Sequence, residues 1–278
     1  MEKTADVIVF AHQKGGSGKT TSCLSVAGYF AKWGHKTLVI DMDPQANATS
    51  GLGIEPSGIR YTLYDVILGQ CEGYESVSVK DAILETGITD LFCVPAEFDL
   101  SVAEIILQNE KNNFRILSRA LEPVQQFFDT ILIDLPPSYG MLMINGLSAA
   151  DHVVIPLDPS IYSLESVTNL ATVLEDVEKL RNKPFENIIP VLIRYKKTGL
   201  LAKVLGRRNS SDEVESMLND WSSRVFVIPD SELFFETQAE GIPVSHYAPK
   251  SAAGKAYEKL ARHLWSRTMK KRKPVLGS

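Results

Sequence analysis

Cysteine is scarce in this chain: Cys23, Cys71 and Cys93 are odd in number and form no CxxC pair. That usage fits reduced packing thiols better than a disulfide framework or a zinc site. Long apolar runs are missing too. No window approaches the roughly 18 apolar residues of a membrane span, and the apolar run in MEKTADVIVF is too short for a secretory signal. The expectation is a cytoplasmic protein. Positive charge is not in excess, since 29 Lys and Arg face 34 Asp and Glu, for a formal charge of -5. Contact with nucleic acid would therefore come from a local basic patch. No internal repeat or low-complexity stretch occurs, apart from the basic run Lys270–Lys273.

With 278 residues and 44% hydrophobic content, the chain can bury one large core as a single domain. Val7–Ala11 is a short apolar run that ends at a glycine-rich turn, and Thr20–Trp33 carries apolar residues at helical spacings. Further buried-strand patterns lie at Thr37–Asp41, Leu91–Val94, Thr130–Asp134, Val153–Leu157, Ile188–Ile193 and Val225–Ile228. Helical stretches separate most of them. This alternation predicts a three-layer, doubly wound α/β fold, a mostly parallel sheet flanked by helices. Between Asn47 and Asp90, glycines at 51, 53, 58, 69, 73 and 87 suggest a mobile surface insertion, with a short helix at Thr62–Leu68.

Ligands of such sheets bind beyond the carboxyl ends of the strands. Lys14–Thr21 follows the first strand, Asp41 and Asp43 end the second, and Asp134 ends the strand ILID. The loop Lys14, Gly15, Gly16, Ser17, Gly18, Lys19, Thr20, Thr21 is a variant phosphate-binding loop, because the usual leading glycine would fall on Gln13. Its glycines let the backbone curl so that successive N–H groups face phosphate oxygens, and the helix that follows adds its positive end. Lys19 can reach the β- and γ-phosphates of ATP, the Thr20 hydroxyl can ligate Mg²⁺, and Thr21 can bond the α-phosphate. A carboxylate near the metal, such as Asp43, can orient a water, and Asp134 fits the acid that holds Mg²⁺ through water.

KGGSGKTT at 14–21, LVIDMDPQANATSGLG at 38–53 and ILIDLPPS at 131–138 resemble the ParA/Soj-type partition ATPases of the deviant phosphate-loop (ParA/MinD) superfamily. The resemblance continues through FDLSVAEIIL at 98–107, AADHVVIPLDPSIYSLESV at 149–167 and IPDSELFFETQAEGIPV at 228–244, almost the whole chain. It implies one ParA-like ATPase domain over residues 1–278, with a basic C-terminal helix and tail from about 252. It further implies that Lys14 crosses a homodimer interface to the partner's nucleotide, that Asp43 positions the attacking water and gates hydrolysis, and that Asp41 supports the metal. The last segment, with Pro229, is placed near the adenine.

Such ATPases bind nonspecific DNA as the ATP dimer and are released by a ParB-like or cargo-adaptor activator. Arg194, Lys196, Lys197, Lys203, Arg207 and Arg208 are the DNA-contact candidates here, because Asp230 stands where many relatives have arginine after Ile-Pro. A MinD-like membrane regulator is the alternative. The helix from Ala252 keeps its apolar face for core packing, and KKRKPVLGS after it offers nothing apolar to insert, so membrane contact is not expected.

Overall fold

The computed structural model describes residues 5–158, 164–195 and 224–268. Eight strands form one sheet: β1 (Asp6–Phe10), β2 (Thr37–Asp41), β3 (Leu84–Glu85), β4 (Leu91–Val94), β5 (Thr130–Asp134), β6 (His152–Leu157), β7 (Asn187–Tyr195) and β8 (Phe226–Pro229). Their order is β3-β4-β2-β5-β1-β6-β7-β8. Only β3 runs antiparallel, pairing Leu84 with Cys93 and Glu85 with Phe92. The central strands β1, β2 and β5 are buried at every residue, as expected where helices cover both faces.

Side-chain alternation sends the strand residues into two cores. Val7, Val9, Leu38, Ile40, Ile131 and Ile133 pack against α3 (Leu63–Leu68), α4 (Leu100–Leu107), α5 (Ile116–Leu121), α6 (Met141–Ala149) and α7 (Leu164–Arg181). Ile8, Phe10, Val39 and Leu132 face the other side. That side is covered by α1 (Lys19–Lys32), α2 (Asn47–Ser50), α9 (Val244–Tyr247) and α10 (Ala252–Thr268), with α8 (Leu233–Glu240) at its margin. On α10, Tyr257, Leu260, Ala261 and Leu264 are buried, so its apolar stripe belongs to the core. No helix among the described residues is long and apolar enough to cross a membrane.

The segment between Asn47 and Asp90 differs from the surface insertion expected of it. Leu63, Val66, Ile67, Val79 and Ala82 are buried in the main core. Thr62 and Asp65 close a capping box at the start of α3, an arrangement worth about 1 kcal/mol. The glycines that interrupt this stretch mark turns between packed pieces, and Ile67 and Leu63 supply the anchoring that an insertion would lack.

Candidate nucleotide-binding site

The strand register brings the expected carboxylates together. Asp41 and Asp134 are direct partners across β2 and β5, and Phe10, the last residue of β1, pairs with Asp134 from the other side. All three strand ends open on one edge of the sheet, where residues 12–18 turn over into α1. Gly16 and Gly18 hold φ of +72° and +75°, a left-handed backbone that a side chain would oppose. A β-carbon at Gly15 or Gly16 would meet nothing within 4 Å, so the concavity is open on that side. At Gly18 the Ile193 side chain leaves no such room.

Lys19 is buried, with its Nζ donating to the Lys14 carbonyl at 3.3 Å. Burial lowers its pKa, while Asp134 and Asp43 act in the opposite direction. Thr20 Oγ1 donates to Asp134 Oδ2 at 2.6 Å. Asp134 Oδ1 is buried and has no hydrogen-bond partner among the described residues. Burial, then the Asp41 charge, push the Asp134 carboxyl up to about 8, even with Thr20 and Lys19 opposing. Burial raises Asp41 to about 6. Such a set of carboxylates lacks positive charge, and a divalent cation supplies it. The residues therefore fit Mg²⁺ with a nucleotide: Thr20 and Asp134 would hold the ion, which when bound neutralises charge developing on the phosphates.

Asp41 serves a second purpose. Its Oδ2 accepts from both the N–H and the hydroxyl of Thr49, each at 2.7 Å, and its Oδ1 accepts from Asp43 N at 3.2 Å. It thus ties down the loop 42–49, and the Thr49 hydroxyl also accepts from Ala96 N at 3.0 Å, reaching β4's exit. Asp43 is buried, and its Oδ1 accepts from Gln45 N at 3.0 Å. Ala46, in the same loop, has φ of +53°, a strained choice for a residue with a β-carbon. Lys14 is half-buried at the mouth of the loop.

A cleft of about 320 Å³ continues from the loop beside Thr20, Thr21, Leu24 and Ser25. Phe234, Thr237, Gln238 and Pro243 form its other wall, so the segment 228–244 does reach the site. Pro229 itself does not line the cleft. It lies half-buried at the end of β8. Arg194, one of the DNA-contact candidates, lies against the phosphate loop, bonded to Asp158 and to the Gly16 carbonyl. Lys196, Lys197, Lys203, Arg207 and Arg208 lie outside the described residues.

Three participants escaped the sequence reading. His12 is fully buried, and its Nδ1 accepts from Lys14 N at 3.0 Å. Thr49 and Asp158 are the others. Only Thr49 left a local signal, as a hydroxyl within the segment that follows two acids.

A family description for an AAA domain matches residues 5–187. The chain is 34% identical to the chromosome-partitioning ATPase Soj of Treponema pallidum, covering 94% of this chain and 97% of that protein. It is 36% identical to the chromosome partitioning protein ParA of Caulobacter vibrioides, covering 94% of each. Among solved structures, cobyrinic acid a,c-diamide synthase from Mycobacterium smegmatis, with an ATP analogue and magnesium bound, superposes with a TM-score of 0.79. That match is 27% identical and covers 97% of each chain. With its phosphate loop, its acid-tipped strands and these relatives, the chain belongs to the ParA/Soj family of partitioning ATPases, acting on ATP with Mg²⁺.

Proposed function

We propose that this ATPase is a dimerising switch that positions DNA or another large cargo. Two copies close face to face around Mg²⁺-ATP, each lending Lys14 to its neighbour's nucleotide. The ATP dimer binds DNA without sequence preference, and hydrolysis, accelerated by an activating partner, releases it. Asp43 orients the attacking water, while Lys19, Thr20 and Thr21 hold the phosphates and Asp134 the metal through water. Asp41 supports the metal site by fixing the loop that carries Asp43.

The observation that carries this reading is the mouth of the site. Lys14 stands there half-buried, and α4 and the turn that leads into it present exposed apolar side chains near the same sheet edge: Phe98 in the turn is 72%, Val102 43% and Ile105 64% exposed. Both nucleotide-facing loops touch α4 or its lead-in. Thr49 bonds Ala96, and Glu104 packs so closely on Gly140, just after the Asp134 strand, that no β-carbon fits there. A γ-phosphate that orders loops 42–49 and 135–140 therefore acts on this face as well.

The test is ATP-dependent binding to nonspecific plasmid DNA, with ADP and anionic liposomes as controls. Wild-type protein is expected to shift DNA with ATP only, and Asp43→Ala to retain ATP and accumulate dimer. Normal turnover by the variant removes Asp43 from the mechanism. Liposome binding in place of DNA binding refutes the proposed cargo chemistry.

A further inference from the structure

Arg194 is the one described residue other than glycine, Asn, Asp and Ala46 that holds a left-handed backbone, at φ +52°. For a long side chain that conformation is unfavourable, and it persists where the surroundings over-determine it. Here they do. The pairing of β7 with β8 is irregular between Leu192 and Tyr195, so the strand end is re-aimed. Arg194 Nη1 then meets Asp158 Oδ2 at 3.2 Å, and Asp158 at the exit of β6 has a side chain only 2% exposed. The same Nη1 lies 3.5 Å from the Gly16 carbonyl. The residue before it, Ile193, packs on Gly18.

The phosphate loop explains why such a contact matters. Three alternate carbonyls of the loop accept bonds: Lys14 O from Lys19 Nζ at 3.3 Å, Gly16 O from Arg194, and Gly18 O from Ser22 N at 2.9 Å. A carbonyl held in this way cannot turn toward the phosphates, so the neighbouring N–H groups stay directed at them. Two of these donors come from the loop and its own helix. Lys19 leaves Lys14 O when it reaches for a nucleotide, and the Ser22 bond is the first turn of α1. The donor to Gly16, which sits in a glycine-rich loop, comes from a strand 178 residues away.

From this arrangement we infer that Arg194, fixed by Asp158, is a positioning residue that holds the Gly16 peptide in the orientation that binds phosphate. It acts through the loop and not as a DNA contact. The inference rests on the nucleotide site described above, and it assigns to this chain a brace made of two residues far apart in sequence. A lysine would not replace it, because both contacts are made by Nη1, which stands one bond farther from the backbone than a lysine Nζ and is held in the guanidinium plane.

The test is titration of Mg²⁺-ADP into full-length protein, together with thermal unfolding in the absence of nucleotide. Arg194→Ala is expected to weaken ADP binding about tenfold, as for a charge-assisted bond lost from a pre-formed site. Arg194→Lys recovers little of it. The double variant Arg194→Gly/Asp158→Asn removes both the strained conformation and the buried carboxylate. Its melting temperature is expected at or above that of wild type, with ADP affinity still about tenfold lower. Opposite movements of stability and affinity distinguish positioning from general support of the fold.

ADP affinity within twofold of wild type in both variants overturns the inference. So does a parallel fall of stability and affinity in both. If Arg194→Ala keeps its ADP affinity and instead flattens the salt dependence of DNA binding, the residue belongs to the DNA surface and the inference is wrong. Wild-type protein that binds no ADP overturns the nucleotide site along with its brace, whereas loss confined to the variants leaves that site intact and supports the brace.

Discussion

His12 takes its place in the loop through chemistry that a charged imidazole could not perform. Its Nδ1 accepts from Lys14 N, which requires that nitrogen to be unprotonated. Burial first, and then the charges of Lys19 and Lys14, depress its pKa from 6.5 to about 3. The unfolded chain binds a proton near pH 6.5 that the folded chain refuses until about 3. Stability from this group is therefore complete above pH 6.5 and declines as pH falls toward 3. His12→Asn keeps an acceptor for Lys14 N and abolishes the titration. Chemical denaturation of the variant between pH 7 and pH 4 should show a shallower loss of stability than wild type. Parallel curves would mean that His12 is not held neutral by its surroundings.

Asp41 shows the same dependence on distant groups. From sequence it is one acid of a strand-end pair, and its link to Thr49 and onward to Ala96 exists only once β2 and β4 lie side by side. The phosphate loop was legible because its chemistry is contiguous: glycines, lysine and threonines within eight residues need no tertiary contact to be recognised. Arg194 and Asp158 were not, since 36 residues separate them and Arg194 read by itself is a DNA-contact candidate. The candidate site was thus readable where one segment makes it and unreadable where β6 and β7 converge on the loop.

Among the elements, the central strands were legible for a comparable reason. Thr37–Asp41, Leu91–Val94 and Thr130–Asp134 fall where their β-branched and apolar runs predict, because burial on both faces makes the interior of each run continuously apolar. The two-residue β3 carries no pattern of its own and exists only through its pairing with Cys93 and Phe92. In α3 the spacing of Leu63, Val66 and Ile67 and the Thr62–Asp65 cap are both present in the sequence, and the short helix expected there forms; its burial in the core is what the surrounding glycines concealed.

Helix α4 carries the prediction that belongs to this scale. Leu100, Ala103 and Leu107 hold it to the core, while Val102 and Ile105, three residues apart, face solvent beside Phe98 of the preceding turn. With Tyr139, which is 44% exposed, the patch amounts to roughly 500 Å². Two such patches apposed would bury about 1,000 Å², near the lower limit for a specific interface. Val102→Glu/Ile105→Glu in the Asp43→Ala background should bind ATP as tightly as the parent and sediment as a monomer. A stable ATP dimer of that protein would exclude α4 from the interface.

For the whole molecule the governing quantity is charge. A chain of formal charge -5 is repelled by DNA as a body, so the proposed DNA binding would have to come from cations gathered on one side and doubled in the proposed dimer. Under that proposal nucleotide control would follow, because a monomer would present half the contacts and each lost contact lowers affinity at physiological salt. Lys196 and Lys197 are two candidates per copy, four in the proposed dimer. If each meets one phosphate, replacing both with alanine should reduce the slope of log K against log salt by roughly 3 to 4, at about 0.9 per contact. Arg207→Ala/Arg208→Ala should act in the same way, and fluorescence anisotropy on duplexes of unrelated sequence measures both. An unchanged slope in both variants would remove these residues from the surface, while a change that depends on duplex sequence would contradict nonspecific binding. With ADP the slope should vanish along with the binding, since the opposed copies that sum their cations have then separated.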